Sequence, residues 1–116
     1  MAPQIRRDLA IANAADTLKK VHLELGGKGA AVVFDDVDIE ATADQLMGAI
    51  TFHTGQVCCD ATRWIVQKPI FEQLADACAK RMKDVKIGYQ IDAETQMGPV
   101  VSAKQQERVL NYLKRG

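Results

Sequence analysis

The stretch "AAVVFDDVDIEATADQLMGAI", residues 30 to 50, changes its hydrophobic period part-way along. Ala30 to Phe34 is a short continuous apolar run rich in β-branched residues, the pattern of a strand covered on both faces in an α/β sheet. Beyond it, Asp36 or Asp38 is suited to cap a helix. Ile39, Ala43, Leu46 and Ile50 then recur at three- or four-residue steps on one stripe, which predicts a helix through about Phe52. A strand followed directly by an amphipathic helix sets the fold class, and the flanking segments extend it.

Upstream, "VHLEL" (residues 21 to 25) alternates Val21, Leu23 and Leu25 with His22 and Glu24. That two-residue period predicts a strand, which Gly26-Gly27 ends. Before it, Ile5, Leu9, Ala12 and Ala15 space out one amphipathic helix from Ile5 to about Leu18. Downstream, "RWIVQ" (residues 63 to 67) reads as another strand. Lys68-Pro69 opens a helix, since proline suits a first turn, with Phe71, Leu74, Cys78, Met82 and Val85 as its apolar stripe. An irregular segment from Ile87 to Val101 holds Gly88, Gly98 and Pro99, after which Ser102 is placed to cap a last helix to about Lys114. The predicted order is αββαβαα, an α/β fold with a largely parallel sheet. No internal repeat or low-complexity tract competes with it.

The chain has 116 residues, about one small domain, with 15 basic and 15 acidic side chains spread along it. That balance leaves no electrostatic footprint for nucleic acid or an anionic membrane, so small molecules or protein surfaces are the expected partners. Apolar runs reach only about five residues against the roughly 20 that span a bilayer, and the N-terminus lacks the apolar core of a signal peptide. A soluble, cytoplasmic protein is expected. Of the three cysteines, Cys58 and Cys59 are neighbours whose direct disulfide would be strained, and Cys78 lies on a predicted helix. Reduced thiols follow.

Two segments have residues suited to chemistry. Glu24 is the one charge within an apolar strand and stands just before two glycines. It reads either as an outward-facing strand residue, sharing that face with His22, or as a general base beside a backbone that a substrate can approach closely. Cys58 and Cys59 follow Gly55-Gln56 past a helix end, where a loop can expose a thiol. Either is a buried apolar filler or a nucleophile activated by positive potential, a helix dipole or hydrogen-bond donors. His53, five positions before Cys58, reads as a surface residue or as a partner for the thiol. "LGGKGA" lacks the spacing of a phosphate-binding loop, no GxGxxG occurs, and "DDVDIEATAD" lacks the central glycine and the glutamate of a calcium loop. No metal site is expected.

Taken together, "LELGGKGA" and "FHTGQVCCD" resemble the glutamate motif ELGGK and the cysteine motif GQxC of the aldehyde dehydrogenase superfamily. Cys58 lies 34 positions after Glu24, the interval many members show, and "MGPVVSAKQQERVLNYL" (residues 97 to 113) resembles the family's GP-containing stretch and following helix. The resemblance covers essentially the whole chain and implies an oxidoreductase that converts an aldehyde to a carboxylic acid with NAD or NADP. It makes Cys58 the nucleophile, leaves Cys59 without a catalytic role, and makes Glu24 the base that activates water against the thioester. The backbone N–H of the cysteine is one oxyanion donor in such enzymes. Leu25 and Gly26 correspond to backbone near the nicotinamide, Gln105 to a contact with the cofactor's ribose region, and Arg63 to a recurring structural arginine.

The resemblance also implies a division: residues 1–25 as the end of a cofactor-binding domain, and residues 26–116 as part of a catalytic domain. A family member is several times longer. The chain is therefore expected either to form a homo-oligomer or to belong with the remainder of a longer enzyme; the alternative is a non-catalytic fragment or an assembly or binding module. Three departures stand out. Met1 and Arg6 occupy glycine positions of a GSTxxG-like turn, Gly29 replaces a polar residue after GGK, and Asp60 replaces a small neutral residue. A carboxylate that close to Cys58 opposes thiolate formation if it points inward; the other expectation is that it faces solvent.

Overall fold

The computed structural model describes residues 3–116, with side chains from residue 7 onward, so the Met1 position and the Arg6 side chain lie outside the described residues. In chain order it contains α1 (Pro3–Ala15), β1 (Ala30–Val33), α2 (Ile39–Thr51), a 3-10 turn (Phe52–Gly55), β2 (Arg63–Val66), a second 3-10 turn (Lys68–Ile70), α3 (Phe71–Asp84) and α4 (Ala103–Leu113). The α/β class holds. β1 and β2 pair in parallel, with Ala30 opposite Arg63 and Val33 opposite Val66, as two strands joined by a crossing helix must.

The helices start where short polar residues satisfy the free N–H groups of a first turn. Asp38 accepts from the Ala41 N–H at 2.8 Å, and Ser102 accepts from the Gln105 N–H at 3.2 Å. On α2, Ala43, Leu46 and Met47 are buried; on α3, Leu74, Ala77 and Cys78 are buried. With Val33 of β1 these form the core, flanked by half-buried Ala31, Trp64 and Val66 from the same sheet face. Leu74 is 1% exposed, and burying such a side chain contributes roughly 1.5–3 kcal/mol.

Arg81 ties the two core helices together. It bonds the Glu40 carboxylate at 2.8 Å and the Glu40 carbonyl at 2.9 Å, and also pairs with Asp44.

Four expectations fail. Residues 21–25 form no strand, and Val21, Leu23 and Leu25 are exposed; alternation only becomes a strand where another strand offers its backbone, and among the described residues none does. The helix expected to reach Leu18 ends at Ala15, and Leu18 takes a left-handed φ of 52°. The sheet is covered on one face only: Val32, Phe34 and Ile65 on the other are exposed. Phe71 and Met82, assigned to the α3 stripe, are likewise exposed and line an open apolar groove of about 580 Å³ with Trp64 and Leu74.

Candidate active site

β1 and β2 run parallel, so the segments that precede them arrive at the same end of the sheet. Those segments are "ELGGKG" and "GQVCCD". They touch through backbone, and the contact explains two glycines. A Cβ on Gly27 would collide with the carbonyl oxygen of Cys58, and one on Gly29 would come within 2.5 Å of the Asp60 carbonyl oxygen and 3.0 Å of that of Cys59. Real side chains do not fit at such separations, so only glycine lets the two segments pack. The Gly29 carbonyl then accepts from the Arg63 N–H at 3.3 Å, which starts the β1–β2 ladder.

The approach to the cysteines is a sequence of left-handed residues. His53, Thr54 and Gly55 have φ of 50°, 61° and 68°. For a β-branched residue such as threonine this backbone is strained, at about 1–3 kcal/mol, and needs support from outside. Thr54 gets it from the Gly98 carbonyl, to which its hydroxyl donates at 3.2 Å. Gln56 supplies more: its amide donates to the His53 carbonyl at 3.2 Å, and its Oε1 accepts from the Val101 N–H at 2.9 Å. Thr54 and the motif glutamine Gln56 thus fasten the loop to the 97–101 stretch. Sequence reasoning used Gln56 only to pick out Cys58 and missed this clamp, for which the co-occurrence of the two motifs was the available signal.

Cys58 and Cys59 are both exposed, at the centre of a turn in which the Asp60 N–H donates to the Val57 carbonyl at 3.4 Å. Among the described residues no carbonyl accepts the Cys58 N–H. Cys78 differs, being buried on α3, where burial pushes its thiol up despite the opposing field of Arg81. Glu24 is exposed and accepts from His22 Nε2 at 2.6 Å. His22 is therefore more than a neighbour on the same face. His53 tilts against the Phe52 ring with centroids 6.4 Å apart.

Leu25 is exposed, and the position a Cβ would take on Gly26 has no atom within 4 Å. Gln105 is half-buried in the first turn of α4 and lines a separate surface groove with Val101, Ser102 and Arg108. The contact between the two motifs brings the Glu24 segment to the Cys58 segment and leaves Gln105 in its own groove. Asp60, for which one expectation was a place facing solvent, is 8% exposed, and its Oδ2 is buried without a hydrogen-bond partner among the described residues.

The model of the aldehyde dehydrogenase family matches residues 4–116. Betaine aldehyde dehydrogenases of Brucella ovis and Brucella melitensis are 42% identical over 106 residues, 91% of this chain and 22% of theirs. The crystal structure of betaine aldehyde dehydrogenase from Staphylococcus aureus in complex with NAD+ superposes with a TM-score of 0.87 at 37% identity, over 94% of this chain and 22% of that one. HpcC from Thermus thermophilus gives a TM-score of 0.84 at 34% identity, over 94% and 21%. The chain spans about a fifth of the length of these relatives. Motif spacing, the backbone contact between the motifs and the match along nearly every residue lead to one conclusion: the chain belongs to the aldehyde dehydrogenase family.

Proposed function

We propose that this chain forms the thiol-and-base segment of an NAD(P)-dependent enzyme that oxidises an aldehyde to a carboxylic acid. The observation that supports it most is the close backbone approach of Gly27 to the Cys58 carbonyl, which holds the glutamate and cysteine motifs side by side. In this reading residues 1–25 end a cofactor-binding domain and residues 26–116 are part of the catalytic domain.

Cys58 Sγ, as thiolate, attacks the aldehyde carbon. The oxygen that becomes negative would be met by the Cys58 N–H, which no carbonyl among the described residues accepts. NAD or NADP, when bound, supplies the acceptor for the aldehyde hydride. A thioester on Cys58 then remains, and Glu24 takes a proton from the water that attacks it, releasing the acid and restoring the thiol. His22, bonded to one carboxylate oxygen of Glu24, leaves the other available to that water. At one end of the cofactor, the open backbone at Leu25-Gly26 leaves room for a flat ring; the family resemblance assigns Gln105, in its separate groove, to the ribose region.

The alternative, a non-catalytic assembly or binding module, makes the opposite prediction about the thiols. Iodoacetamide labelling of the isolated chain near neutral pH, followed by peptide mass spectrometry, separates the two. Faster alkylation of Cys58 than of its likewise exposed neighbour Cys59 is expected, because an activated thiol gains rate from its surroundings. Equal rates at the two positions would favour the module.

A further inference from the structure

Aldehyde chemistry uses Cys58 and has no task for Cys59, yet both side chains are exposed. Two successive residues of a strand point to opposite faces and cannot serve one ligand. Here the chain turns instead. The hydrogen bond from the Asp60 N–H to the Val57 carbonyl, 3.4 Å, puts Cys58 and Cys59 at the two central positions of a four-residue turn. The carbonyl side of that turn is filled: Gly27 packs against the Cys58 oxygen and Gly29 against the oxygens of Cys59 and Asp60. Both cysteines, adjacent on that turn, are exposed to solvent. Among the described residues no cluster of three metal-ligating side chains exists, and the two cysteines offer two donors.

We propose that Cys58 and Cys59 form a vicinal dithiol site for organic trivalent arsenicals, R–As(III), which need two soft sulfur ligands and no more. With an arsenoxide, two S–H bonds break and two As–S bonds form. The oxygen leaves as water with both protons, and arsenic stays trivalent, so no oxidant or reductant takes part. The second As–S bond closes within one turn, so it forms at high effective concentration and holds the ligand far longer than a single thiol would. The site does not depend on the aldehyde-oxidising reading, because it requires neither cofactor nor base.

The full chain incubated with phenylarsine oxide and weighed intact by mass spectrometry tests it. One phenylarsenic group per chain, bound with loss of water, is expected. It should survive excess 2-mercaptoethanol and be removed by 2,3-dimercaptopropanol. Cys58→Ser and Cys59→Ser should each weaken retention against the monothiol by on the order of a hundredfold, while Cys78→Ser leaves it unchanged. An adduct stripped equally by both reagents, or one that persists in Cys59→Ser or disappears in Cys78→Ser, would overturn the proposal. Because Cys59→Ser keeps Cys58, its alkylation rate separately reports on the aldehyde-oxidising reading.

Discussion

Asp60 is the residue whose setting departs furthest from what its type prefers. A buried polar atom left without a hydrogen-bond partner costs about 1–3 kcal/mol, and Oδ2 of Asp60 is in that position among the described residues. Gly29 contributes to the burial, since its bare backbone lies against the Asp60 carbonyl. Asparagine has nearly the same shape and no charge. Asp60→Asn should therefore raise the unfolding free energy by about 1 kcal/mol or more, read as a higher urea midpoint at unchanged slope. Removal of a negative charge two residues from Cys58 should also speed its alkylation at neutral pH. A lower midpoint would mean that the carboxylate has found a donor. None of this was legible in the sequence, where Asp60 could equally have faced solvent, because its burial depends on a glycine 31 positions earlier. The identity of Cys58 was legible, through Gly55-Gln56 and the interval to Glu24. The reason Gln56 matters was not, because its bond to Val101 crosses 45 positions.

Among the elements, those with a local cause were foreseen. β1, α2, β2, α3 and α4 each carry their own periodicity and stop signals, and Asp38 and Ser102 cap as their residue types suggest. What failed needed a distant partner: the strand at 21–25 had the alternation but no neighbour. The left-handed His53-Thr54 backbone depends on a contact with Gly98. The α2–α3 pair has its own such contact in Arg81, and it gives the elements a pH dependence. The Arg81 guanidinium beside Asp44 holds that carboxyl below its ordinary value of 3.8. A depressed carboxylate stabilises the fold above its unfolded value and loses that contribution as pH falls through the folded one. Acidification below about pH 4 should therefore destabilise the wild-type α2–α3 pair more than the Arg81→Gln variant, whose Asp44 no longer has a partner to lose. Thermal melts between pH 5 and pH 2.5 check this. Because Asp44 lies at the surface, the difference between the two proteins should shrink in high salt. Melting curves that stay parallel through the acid range would remove Arg81 from the account.

At the scale of the whole molecule, the radius of gyration is 18.2 Å, against about 13 Å for a compact domain of this length. The excess has a structural source, because none of the described side chains of α1 joins the core and α4 has none buried. Among the described residues the sheet has two strands, each with one unpaired edge, and a sheet of that size is marginal in water by itself. On its bare face Val32 is 59% exposed, Phe34 63% and Ile65 53%. These are the traits of a segment shaped to pack against more protein, in keeping with a length about a fifth that of its relatives. Apolar surface of this kind drives association when nothing covers it. The isolated chain should sediment as a concentration-dependent mixture of monomer and larger species. Val32→Thr combined with Ile65→Thr should shift that mixture toward monomer. Both replacements are β-branched and keep the strands' preference for extended backbone, and both side chains point away from the core residues Val33 and Leu74, so the fold should survive them. Unchanged circular dichroism with an altered sedimentation profile would assign the association to this face. An unaltered profile would move it to the groove beside Trp64, Phe71 and Met82, where Met82→Lys is the corresponding substitution.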